Sequence, residues 1–216
     1  MNKILKLSAI ALLASSVSAM AQKTGTSISV FGSIAGAEVE ASGSESSGQS
    51  GSQSGSGSVG KVTPIVGFDI GYNFTPNFAI GATYIPMEAK IGTGTVDGGR
   101  VTGELKDHYT IYIEPAYVVN KDASLYARLQ YAHADLTLSG ATGSNKLEGW
   151  GVGIGLKTFL NANTFIRAEA NYTEYDSISG TNVTTGGGGP VNNTTTTTVS
   201  GTPYLAQGII SIGYQF

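Results

Sequence analysis

The residues that invite a chemical reading are few. The chain has two histidines, His108 and His133, and no cysteine. Asp107 and Asp135 lie close to them in sequence. A histidine oriented by a carboxylate is part of a hydrolytic apparatus, which also needs a nucleophile or an activated water. His108-Tyr109-Thr110 and His133-Ala134-Asp135 would supply pieces of one, but neither run forms a complete catalytic motif. Two histidines and an aspartate are also metal-ligand types. The simpler reading places both histidines at a rim, near headgroups or water. It assigns no catalytic, cofactor-binding or metal-binding residue and implies no cofactor. The glycine-rich run at 42–60 lacks the Gly-Lys-Ser/Thr ending of a phosphate cradle. The Asn-x-Thr triplets at Asn182, Asn192 and Asn193 reflect a threonine-rich composition.

The remaining chemistry is ionic. Asp69, Glu114, Arg128, Lys157, Arg167 and Glu169 all fall on the polar parity of segments that alternate with period two, the pattern of strands with two different faces. Eight such segments are predicted, at about 26–41, 62–74, 78–91, 107–119, 123–138, 146–159, 164–175 and 204–216. Short turns at 75–77, 120–122 and 160–163 alternate with long connections at 42–60, 92–106, 139–145 and 176–203. Placing Val119 opposite Ala123 sets Glu114 across from Arg128, His133 across from Tyr109, and His108 across from Ala134. The six charges then form an interior cluster, with Gly151, Gly153 and Gly155 leaving room for long side chains.

Composition agrees with an all-β chain of one domain. Of 216 residues, 31 are glycine, roughly twice ordinary usage, and helix formers are scarce. Charged residues make up 12% and the formal net charge is −3, so the clustered basic excess of a nucleic-acid-binding domain is missing. Without cysteine there is neither a disulfide framework nor a thiolate metal site. Residues 1–21 read as a cleaved signal peptide: Lys3 and Lys6, an apolar stretch from Leu7 to Val17, then Ala19-Met20-Ala21 before Gln22. The folded β domain is expected over 22–216.

Ionic residues on one face cannot fill a dry soluble core, and the aromatic residues indicate what surrounds the other face. On the apolar parity, Tyr84, Tyr109, Tyr131, Trp150, Tyr172 and Tyr204 fall at the ends near the long connections. Phe74, Phe78, Tyr117, Tyr214 and Phe216 fall at the ends near the short turns. Aromatic rings gather at both membrane–water interfaces. Tyr204 and Tyr214 are ten residues apart in sequence. At ~3.3 Å per residue and a tilt of about 40°, that run rises roughly 25 Å, the height of an outer-membrane apolar band. The expected fold is an eight-stranded antiparallel up-and-down transmembrane β-barrel.

The C-terminal run Ile212-Gly213-Tyr214-Gln215-Phe216 alternates to a terminal aromatic. Here the chain resembles small Gram-negative outer-membrane β-barrels, the OmpA transmembrane domain and the OmpX and opacity-protein groups. The resemblance implies that Tyr214 and Phe216 are read by the barrel-assembly machinery. It also implies a charged, hydrogen-bonded interior, residence in the bacterial outer membrane, and contact with its lipid and lipopolysaccharide. The expected protein is a non-enzymatic, structural and surface-exposed monomer with a plugged polar lumen. Its long external loops would touch surfaces or host molecules. The alternatives are a narrow channel or transporter of small hydrophobic solutes, and a lipid A-modifying enzyme or protease using His108 or His133.

Overall fold

A computed structural model describes residues 24–47, 51–96, 99–138, 144–186 and 193–216. The segment read as a signal peptide lies outside the described residues, as do 139–143 of the third long connection. The described chain forms β1 (Gly25–Ser47), β2 (Gly51–Thr75), β3 (Phe78–Ile85), β4 (Ala89–Val96) and β5 (Gly99–Val118). These are followed by β6 (Ala123–Leu138), β7 (Ser144–Phe159), β8 (Thr164–Tyr175), β9 (Ile178–Gly186) and β10 (Asn193–Gln215). Neighbours pair antiparallel, and β1 pairs with β10 from Ser27↔Gln215 to Ser47↔Thr195, which closes the sheet. β3 and β4 succeed each other along one edge of β5, and β8 and β9 do so along one edge of β10. The ten strands thus make the eight staves of a closed barrel.

The short turns are built by side chains. Asn120 Oδ1 accepts from the backbone N–H of Asp122 and of Ala123, both at 2.9 Å. Asn161 Oδ1 does the same for Asn163 at 3.0 Å and Thr164 at 2.8 Å. Asparagine mimics a backbone turn in this way, which is why two or three residues suffice to reverse the chain. The β5–β6 ladder runs Val118↔Ser124, Tyr117↔Leu125 and on to Tyr109↔His133, the register that follows from setting Val119 opposite Ala123.

The long connections differ from the sequence reading. Residues 42–47 and 51–60 continue the β1–β2 ladder to Ser47↔Gly51. β4 pairs with β5 from Ala89↔Leu105 to Val96↔Gly99, inside the connection placed at 92–106, and β9 pairs with β10 inside that at 176–203. Serine, glycine and threonine offer little to pack. A ladder, however, needs only backbone N–H and C=O groups, and the growing hairpin holds these in register. The third segment breaks at Pro86, which has no N–H to give, and pairing on β5 resumes at Ala89.

Above Phe68↔Tyr84 no described residue of β2 pairs with β4. Above Gly149↔Tyr175 none of β7 pairs with β9. Beyond those levels the ladders form two sheets, β9-β10-β1-β2 and β4-β5-β6-β7, with β2 and β4 running close together without a ladder between them. The molecule therefore has a closed body on the short-turn side and a two-sheet cap on the other.

Candidate functional site

Side chains alternate through the body wall, as in β8, where buried and exposed residues strictly alternate after Thr164. The inward rows bring Asp69 on β2, Glu114 on β5, Arg128 on β6, and Arg167 and Glu169 on β8 to one place at mid-depth, all buried. Arg128 Nη2 donates to Glu114 Oε2 at 3.0 Å. It also lies 3.3 Å from Glu169 Oε2 and 3.5 Å from Asp69 Oδ2. Arg167 Nη2 donates to the same Glu114 oxygen, and its Nη1 stands 3.5 Å from Asp69 Oδ1. Two tyrosines complete the carboxylate shell. Tyr112 OH donates to Asp69 Oδ1 at 3.0 Å, and Tyr126 OH donates to Glu169 Oε2 at 2.9 Å. The Arg128 guanidinium lies 3.8 Å from the centre of the Tyr112 ring, and that of Arg167 lies 4.6 Å from the centre of Tyr126.

Three carboxylates and two guanidiniums thus share one buried volume. Each ion costs several kcal/mol to desolvate, and only dense hydrogen bonding offsets that cost. Small residues opposite make the room. A Cβ on Gly151 would stand 2.6 Å from Thr173 Oγ1, and one on Gly155 would overlap the Tyr126 ring. One layer toward the cap, Gln130 and Asn171 exchange amide hydrogen bonds of 3.0 and 2.9 Å. Lys157 stands apart from the five. Its Nζ donates to Gln215 Oε1 at 2.9 Å and sits 4.9 and 4.4 Å from the ring centres of Phe159 and Phe165, which close the short-turn end. Sequence reasoning missed Tyr126, Phe159, Phe165 and Gln215. Their signal was available: Tyr126, Phe159 and Phe165 share the inward parity of Arg128, Lys157 and Arg167, and Gln215 shares that of Gln207 and Ser211 on β10.

The cap interior is apolar, not polar. Phe31, Ile85, Leu105, Leu136, Leu147 and Leu205 belong to one buried cluster that extends to Tyr175. The outward positions beside them carry Glu148, Lys146 and Glu174. Lys106 Nζ meets Glu88 Oε1 at 2.8 Å on this outer surface.

The aromatic residues of the apolar parity all point outward from the body. Near the cap, Tyr131 and Trp150 pack edge to face at 5.5 Å, and Tyr172 and Tyr204 lie 6.0 Å apart. Tyr131 and Tyr204 also hydrogen-bond upward to Glu148 and Glu38. Tyr84 and Tyr109 are register partners in the same row. Near the short turns, Phe74 lies 6.2 Å from Phe78, and Tyr214 lies 5.0 Å from Phe216, with Tyr117 exposed on the same wall.

The two histidines do not meet. A bulge between Lys106 and Tyr109 inserts a residue into β5, and Asp107 takes a left-handed φ of 49°. The pairing of His108 with Ala134 that regular alternation predicts is therefore absent. His108 turns inward and is buried, its ring edge-on to Tyr175 at 6.4 Å. His133 faces outward and stacks on Tyr109 at 4.9 Å. Its Nε2 lies 3.7 Å from Asp135 and its Nδ1 4.0 Å from Glu148, so the two acids approach opposite nitrogens. The barrel wall stands between His108 and His133.

An apolar outer wall between two aromatic rows, closed around buried ions, is the architecture of a membrane-spanning β-barrel. The chain matches the family described as outer membrane protein beta-barrel domain over residues 7–200, and it belongs to that family. Among solved structures it is similar to the outer membrane protein OprG from Pseudomonas aeruginosa. The identity is 16%, over 92% of this chain and 99% of that one, with a TM-score of 0.60. It is also similar to Neisserial surface protein A, at 15% identity over 89% and 98% of the two chains with a TM-score of 0.50. For the outer membrane protein AlkL in DMPC lipid bilayers the figures are 14%, 94% and 96%, and 0.50. At these identities the likeness is one of fold. No curated protein matches the chain.

Proposed function

We propose that the protein is a non-enzymatic, structural and surface-exposed barrel of the bacterial outer membrane whose lumen is plugged. The observation that carries this reading is the five-ion cluster across the body. The space beside it measures about 20 Å³, and so does a second one in the cap. That is room for about one water each, not for a solute path. The two-sheet cap would be the external part, offered to surfaces or host molecules. The outward aromatic rows would meet lipid and lipopolysaccharide. Tyr214 and Phe216, both exposed at the end of the outward row of β10, would be the feature read by the assembly machinery after the signal peptide is removed. In this reading the protein works as a monomer, and the separation of His108 from His133 argues against a hydrolase.

The apolar cap interior favours a second reading, passage of small hydrophobic solutes. Planar-bilayer recording of the refolded protein tests the first. The expected outcome is no steady conductance. A steady open state in the unmodified protein would replace the plug with a channel.

A further inference from the structure

His108 is a buried ionisable group in a place built without a counter-charge. It is 5% exposed, and neither ring nitrogen has a hydrogen-bond partner on another residue. It stands where the ionic body meets the apolar cap and lines both of the small interior spaces. It continues the inward row of Glu114, Tyr112 and Thr110, and the bulge at Asp107 leaves it without a partner on β6.

The groups around it do not favour a positive ring. From β2 it faces Lys61 toward the cap and Asp69 toward the body. From β6 it faces Arg128, with His133 behind the wall, and from β8 it faces Tyr175, Arg167 and Glu169. Asp69 and Glu169 are already engaged by the two arginines and the two tyrosines. On its own strand Asp107 is exposed, pointing out of the cap. β1, β3 and β10 offer Ser29, Phe31, Thr83, Ile85 and Gln207, none of them charged. A proton on His108 would therefore place a cation between arginines and an apolar cluster.

The wall next to it can respond. The two cap sheets have no described ladder joining β2 to β4, or β7 to β9, and their buried apolar side chains hold them together. The body has a ladder between every pair of neighbouring staves. We propose that His108 is a proton-operated latch for the cap: neutral, it lets β5 seal against the facing sheet, and protonated, it leaves the interior and lets the two sheets part while the body stays closed.

The direction with pH follows from burial. Desolvation, with a smaller contribution from His133, holds His108 at about 4, below the ordinary value of 6.5, on the cap side of the Tyr109 row. A base whose proton is disfavoured in the closed form loses that closed form as pH falls. The loss sets in below about 6.5 and levels off near 4.

The test is amide hydrogen exchange of the full mature chain refolded into phosphatidylcholine vesicles. Exchange is followed at residues 99–106 of β5 and corrected for the intrinsic pH dependence of exchange. Lowering the pH from about 7 to about 4.5 is expected to speed exchange there roughly fiftyfold, which follows from a proton held at about 4 in the closed form and 6.5 in the open one. Body amides and the heat-dependent gel shift of the closed barrel should not change. His108→Phe should remove the acid response, and His133→Gln should retain it. If the phenylalanine variant does not fold, His108→Gln is neutral over the same range and carries the same expectation. Unchanged cap exchange in the unmodified protein overturns the latch. So does an acid response that survives either His108 substitution, or a body that opens together with the cap.

Discussion

The same staves run through the body and the cap, and their polarity inverts between the two. In the body, Ile154 is 65% exposed on the outer wall while Arg128 is buried inside. On the same β7, Leu147 in the cap is buried inward and Glu148 beside it is exposed. Period two is common to both regions, since every strand has two faces. What differs is the medium outside. Where it is lipid, the apolar face turns out and the ions must satisfy one another within. Where it is water, the apolar face turns in and the wall need not be a closed ring. We propose that the level at which the polarity switches is the edge of the membrane; the row of Tyr84, Tyr109, Tyr131, Trp150, Tyr172 and Tyr204 stands at that level.

The largest expected effect is on the ionic body. Glu114→Gln removes the carboxylate oxygen to which both arginines donate, and should cost about 3–5 kcal/mol in a urea titration in vesicles. Fluorescence of Trp150, the single tryptophan, reads the transition. Arg128→Met should cost a similar amount, and the double substitution should recover part of the sum. Strictly additive losses would mean that the body is not held by this network.

Next comes the cap. Leu147→Ala should cost the cap about 2–5 kcal/mol, because a buried leucine in an apolar cluster leaves a cavity. The loss should appear as faster amide exchange in β4 and in the cap part of β5, with the urea midpoint of the body little moved. A body that loosens in step would merge the two regions into one cooperative unit.

The third effect sharpens the boundary. Ile154→Arg should cost about 2–4 kcal/mol at mid-membrane, whereas Tyr131→Arg should cost about 0–1 at the aromatic row. Equal costs in the vesicle titration would move the membrane edge away from that row.

Much of the body is legible in the sequence. Alternation marks the inward residues, and Asn120 sets a turn whose register carries along β5 as far as Tyr109. The cap is less legible for two physical reasons. Its strands at 42–47, 51–60, 178–186 and 193–200 hold together through backbone groups, which leave no trace in side-chain pattern. The bulge at Asp107 also shifts parity by one residue, so regular alternation puts His108 in the wrong pairing. One signal was readable. Phe31, Ile65, Ile85, Leu147, Tyr175 and Leu205 are large apolar residues on the polar parity, gathered toward the long connections.

The ladder from Ser27↔Gln215 to Ser47↔Thr195 joins the two ends of the described chain, whereas the ladders around the barrel between β1 and β8 each join strands close in sequence. A hairpin zips from its turn, but β1 can meet β10 only after everything between them has been threaded into place, and such long-range pairings are slow. Until they meet, the sheet has two bare edges, and each unpaired N–H or C=O in hydrocarbon costs several kcal/mol. Closing the circle and entering the bilayer are therefore one kinetic event. Because the chain has no cysteine, a Val30→Cys and Ile212→Cys pair, placed on that ladder, would time this event by the formation of a single disulfide.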